Sequence, residues 1–246
     1  MKYKKTLVFL VMAVLCAADW YFSNFETVSN PGILGFLSEK ELAEWILDPG
    51  GNYNGARRML VIYTIPVLLG IWYLTQEEKP AYLVRFPSRK CYKAKDLGYV
   101  LLISGLFSAV HEAVQYIFIR YCMGSAIIEK VQLLPYCFIA IVVHTILYVQ
   151  TGLVWHILTD VFRSRLAGLL GTFGINFMQY IVWGYGYGRL WLPGSDCTAA
   201  FSYIDGDYSI GELQLVLARG ILVAAVLCAV CLWVFEKKDL MRDEKK

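Results

Sequence analysis

Six stretches of the chain are almost purely apolar: Thr6 to Ala18, Met59 to Gln76, Leu97 to Ile119 with Glu112 as its one acid, Val131 to Thr159, Leu166 to Gly188 and Gly220 to Phe235. About 20 apolar residues are needed to cross about 30 Å of hydrocarbon. The first, second and last runs are short by that measure, and flanking residues such as Asp19, Arg58 and Arg219 extend them by snorkelling into the interface. The pattern predicts an all-α, polytopic integral membrane protein with six transmembrane helices. The spans fall near residues 5–24, 58–76, 97–120, 131–160, 165–187 and 215–236 of one domain covering 1–246. The first run continues through Trp20, Tyr21 and Phe22, which favours an uncleaved helix over a removed signal peptide.

Three segments break the apolar pattern. Residues 25–57 contain a predicted short helix from Ser38 to Leu47, with Ser38 as cap, Glu41 three residues on, and Leu42, Trp45 and Ile46 as its apolar side. Residues 77–96 are basic and interspersed with Tyr82, Leu83, Val84 and Phe86. They read equally as a loop held on anionic lipid and as a docking element. Residues 188–214 are rich in Gly and aromatic positions, then acidic, and the stretch from Ser209 to Gly220 is expected to start as a shallow helix capped by Ser209 and Glu212.

Composition sharpens this picture. Apolar residues make up 58% and charged residues 17% of 246, below the roughly 25% charge of an ordinary soluble domain. Lys and Arg in loops set orientation. With the amino terminus inside, 16 of the 23 fall on the cytoplasmic side, so both termini and the 77–96 loop are expected there. The net charge of +3 then reflects topology, and no basic stripe points to nucleic acid. Cys16, Cys137, Cys228 and Cys231 lie in apolar runs as packing residues, whereas Cys122 and Cys197 both fall on the outer side and leave pairing open.

Polar side chains within spans are costly and therefore functional candidates. These are His111, Glu112 and Gln115 in the third run, His144, Gln150 and His156 in the fourth, and Asn176 and Gln179 in the fifth. Interhelical hydrogen bonding is the plainer role for such residues. The string from His111 to Gln115 resembles a zinc-protease motif but has glutamine where the second histidine is needed, so no metal is assigned. His144 could substitute from the next helix. That leaves an intramembrane metal-dependent hydrolase using His111, Glu112 and His144 as an alternative. No phosphate-binding Gly-x-x-x-x-Gly-Lys loop is present, so any ATP must be bound by another protein.

Three patches together carry a family resemblance. Tyr82-Leu83-Val84-Arg85-Phe86-Pro87-Ser88-Arg89-Lys90 resembles the basic stretch between spans two and three of small bacterial type-2 ATP-binding-cassette (ABC) permeases, the kind associated with bacteriocin and peptide-antibiotic export or immunity. Leu192-Pro193-Gly194 resembles their outer turn before span six, and Phe235 to Leu240 their closing Lys-Asp-aliphatic tail. Pro87 and Cys91-Tyr92 depart from the pattern. The resemblance implies a permease subunit in a bacterial cell membrane that pairs with a second permease and docks a separate cytoplasmic ABC ATPase through Arg85, Phe86, Ser88, Arg89 and Lys90. It also implies short re-entrant helices before span six. His111, Glu112, Gln115, His144, Gln150, Asn176 and Gln179 become candidates for the translocation path. A non-transporting immunity or sensor protein that binds a peptide through its outer segments is the remaining alternative.

Overall fold

The computed structural model describes residues 2–29, 38–48, 53–75, 88–185 and 191–237. Among them the elements are helical throughout, with no strand: α1 (Lys2–Ser29), α2 (Glu39–Leu47), a π-helical turn (Arg58–Ile62), α3 (Thr64–Leu74), α4 (Arg89–Met123), α5 (Ser125–Lys130), α6 (Leu133–Phe162), α7 (Arg165–Gly184), a 3-10 turn (Pro193–Thr198), α8 (Ala199–Asp205) and α9 (Ile210–Lys237). Five of these, α1, α4, α6, α7 and α9, are long and apolar enough to cross a bilayer. The second apolar run is shorter: the π-turn and α3 together span Arg58–Leu74.

Local chemistry explains most boundaries. Ser38 and Glu41 form a reciprocal capping box, the Ser38 N–H donating to Glu41 Oε2 at 2.7 Å and the Glu41 N–H to Ser38 Oγ at 3.2 Å. The donated backbone hydrogen bond holds the Glu41 carboxyl below its ordinary range. The buried face of α2 is Leu42, Ala43, Ile46 and Leu47, so Trp45 is turned outward, one position off the expected stripe. Ser88 and Ser164 cap α4 and α7 through their hydroxyl groups. The Ser209–Glu212 box is also present, but α9 runs unbroken from Ile210 to Lys237, so the expected separate shallow helix is the first part of one long helix.

The π-turn has a visible cause. Residues five apart lie about 140° apart on an α-helix, whereas the wider turn, closed by Tyr63 N–H donating to Arg58 O at 2.8 Å, brings Arg58 and Tyr63 to one side. Both then meet Asp19 of α1: Arg58 Nε lies 3.1 Å from its Oδ2, and the Tyr63 hydroxyl donates to the same carboxylate. A carboxylate inside the first apolar helix is thereby matched from the second.

Helix α6 is the hub, touching α3, α4, α7, α8, α9 and the 3-10 turn. Small residues let the others approach. A Cβ on Gly168 of α7 would stand 3.0 Å from Thr159 N and 3.1 Å from Trp155 O of α6, and one on Gly220 of α9 would stand 2.9 Å from Ile146 Cγ2. Water cannot drive helices together in lipid, and close backbone approach takes its place. On the outside of the bundle, Val14, Leu101, Leu170 and Leu222 are all more than half exposed, an apolar exterior suited to acyl chains.

Candidate functional site

Two helices supply the chemistry. His111 and Glu112 are consecutive on α4, and His144 projects from α6 against them. Glu112 Oε1 lies 2.9 Å from His111 Nδ1 and 3.2 Å from His144 Nδ1, so one carboxylate oxygen faces two imidazoles. The three side chains are at most 2% exposed. The imidazole rings meet edge to face with centroids 5.8 Å apart.

The surroundings fix the rings. Tyr53 stacks flat on His111, with centroids 4.1 Å apart and an interplanar angle of 4°, while its hydroxyl donates to the His111 carbonyl at 3.3 Å. His144 Nε2 is 3.3 Å from the Cys197 carbonyl in the 3-10 turn. A carbonyl only accepts, so that nitrogen carries the proton. Both non-spanning segments at this end of the bundle therefore reach the cluster. Among the described residues, His111 Nε2, Glu112 Oε2 and both amide atoms of buried Gln115 have no hydrogen-bond partner. Ligand atoms of His111, Glu112 and His144 lie within 4.8 Å of one another, spacing suited to one metal ion.

The other candidate path residues are held elsewhere. Asn176 of α7 donates to Thr64 Oγ1 at 2.8 Å and Thr151 Oγ1 at 3.2 Å, and accepts from Gln179 at 3.2 Å. Gln179 in turn accepts from Gly194 N–H at 2.9 Å. Gln150 donates to the Gly220 carbonyl at 2.8 Å. These three amides act as interhelical ties. Arg85 and Phe86 lie outside the described residues, Ser88 is the cap of α4, and Arg89 and Lys90 begin its first turn. Cys122 is exposed and Cys197 buried, and no disulfide joins any two cysteines among the described residues. Burial pushes the Cys197 thiol up to about 12.

Sequence reading missed a second cluster. Lys93 Nζ donates to Asp160 Oδ2 at 2.6 Å and lies 3.2 Å from His156 Nδ1, with the Phe235 ring 4.7 Å away. Both charged side chains are fully buried. The basic stretch 77–96 suggests a solvated loop, but residues 89–96 are the first turns of α4 and carry Lys93 inside. The signal was Asp160, an acid at the end of the longest apolar run. At the opposite end, Arg219 Nε donates to Asp196 Oδ2 at 3.0 Å and stacks over Trp191. Burial raises the Asp196 carboxyl against the pull of that arginine.

Five helices long and apolar enough to cross a bilayer fit a multi-pass helical membrane protein. No family profile, curated protein or solved structure matches this chain at a significant level.

Proposed function

We propose that the protein is the membrane-spanning permease subunit of an ATP-driven ABC exporter in a bacterial cell membrane. In this reading it crosses six times with both termini cytoplasmic, and the Arg58–Leu74 segment is its second span. It pairs with a second permease, takes energy from a separate ATPase, and moves a peptide or amphiphilic substrate. The observation that carries the reading is the construction of α4. This helix runs 35 residues without interruption, about 52 Å, from its basic, Ser88-capped start to Met123. Its start is clamped to α6 through Asp160 and to α9 through Phe235. A push on residues 77–96 from below is thereby passed to three spans as one rigid movement.

Hydrolysis at His111, Glu112 and His144 draws less support, because water and substrate would have to reach side chains at most 2% exposed. A peptide-binding immunity protein has no particular side-chain arrangement in its favour. The deciding experiment is a charge reversal at Arg85 and Arg89 in the intact chain. Membrane insertion is expected to be unchanged while co-purification with an ATPase encoded nearby is lost. Retention of the ATPase by that variant would remove the docking assignment and with it the exporter reading.

A further inference from the structure

We propose that His111, Glu112 and His144 bind a divalent transition-metal ion of the zinc class, which staples α4 to α6 beneath Tyr53 and the 3-10 turn. The inference is independent of the exporter reading.

The argument begins with one proton. His144 Nε2 must carry a hydrogen to satisfy the Cys197 carbonyl at 3.3 Å, so in the neutral ring Nδ1 is a bare lone pair. That lone pair faces Glu112 Oε1 at 3.2 Å. Two lone pairs held this close in a buried site repel each other unless something positive lies between them. The partners of the Glu112 carboxylate among the described residues are the two histidines, and Lys93 stands 19 residues away, about 28 Å along α4. A cation at this point removes the repulsion and neutralises a carboxylate that is otherwise costly to bury.

The donor set selects the ion. Two imidazoles and a carboxylate are borderline ligands that suit zinc and its neighbours rather than calcium or magnesium. Bond lengths of about 2.0–2.1 Å place tetrahedral ligand atoms roughly 3.3 Å apart. The separations of 2.9 and 3.2 Å from Glu112, within an overall 4.8 Å, reach that arrangement by small side-chain movements. His144 also has the outer contact that metal-bound imidazoles use, the far N–H given to a carbonyl, and the stacked Tyr53 ring restrains His111. Glu112 Oε2 and the amide of Gln115, both buried without partners among the described residues, provide polar atoms to complete or second the coordination.

A proton shared within the cluster would answer the same electrostatic need, and metal analysis separates the two. The full chain, purified in detergent without chelators, is assayed for metal by mass spectrometry and then reconstituted with Co2+ after chelation. About one zinc per chain and the visible absorption bands of tetrahedral Co2+ are expected. Both should fall to background in Glu112→Gln and His144→Gln and persist in His156→Gln, which alters only the other cluster. If either ligand variant fails to fold, the wild-type protein still decides, since chelation should lower its melting temperature and added Zn2+ should restore it. Wild-type protein with no bound metal, no cobalt bands and no chelator-dependent shift would overturn the proposal and leave a proton as the occupant. Equal metal loss in His156→Gln would overturn the assignment to these three residues.

Discussion

The seam between α4 and α6 holds two buried ionisable clusters built from the same residue classes but balanced differently. Near the start of α4, Lys93, Asp160 and His156 contain one donor cation, one carboxylate and one imidazole that accepts, so every facing pair is a donor with an acceptor. Some 18 residues further on, about 27 Å along the helix, His111, Glu112 and His144 place a carboxylate oxygen against two imidazole nitrogens with no fixed cation among them. Between the two, Val100, Ile103, Phe107 and Leu147 are buried and apolar. In the first cluster the carboxylate is matched by a cation of the chain itself; in the second no cation among the described residues faces it. Burial of charge is thus a tie in one place and a receptor in the other, and the distinction rests on counting donors against acceptors.

The largest effect should come from breaking the Lys93–Asp160 pair. Lys93→Met leaves Asp160 buried beside it, and losing one partner of such a pair costs about 3–5 kcal/mol. Unfolding in detergent should show this, while Lys93→Met combined with Asp160→Leu should recover most of the loss. A single variant as stable as the double one would mean that Lys93 and Asp160 do not form a closed pair. Glu112→Gln should be milder, about 1–3 kcal/mol, because the amide keeps the shape and some hydrogen bonding. Its loss should vanish when wild type and variant are compared in chelator. An equal difference with and without chelator would assimilate the second cluster to the first. Tyr53→Phe retains the ring over His111 and removes the hydroxyl with its long hydrogen bond to a helix carbonyl, so about 0.5–1.5 kcal/mol is expected in the same measurement. A larger loss would show that the hydroxyl, and not the stack, holds His111 in place.

What was legible in the sequence was local. The Ser38–Glu41 and Ser209–Glu212 boxes depend on residues three apart, and the long apolar runs declare α4, α6, α7 and α9 by themselves. His111 and Gln115 could be placed on one face by helical spacing alone. The meeting of His144 with Glu112 could not, because it depends on how α6 is rotated against α4. The π-turn at Arg58 was hidden for a similar reason: its cause, Asp19, belongs to another helix. Lys93 stands in a basic run that suggests solvent, whereas the cap at Ser88 starts the helix early enough to carry the ammonium group inside.

The smallest perturbation sharpens which cluster lies at which side of the membrane. Cys91 and Cys122 are both exposed and sit at opposite ends of α4, next to the Lys93 cluster and beyond the His111 cluster respectively. If Lys93 marks the cytoplasmic end, a membrane-impermeant maleimide added to intact cells should modify Cys122 and spare Cys91 until the membrane is permeabilised. Cys197, buried with its thiol pushed up to about 12, should remain unmodified throughout and so serve as an internal control for folding. Stability should change little, since both thiols are exposed. Labelling of Cys91 in intact cells would invert the bundle: the closed Lys93 cluster would then lie at the outer face, the candidate metal cluster would open toward the cytoplasm, and residues 77–96 could not meet an ATPase.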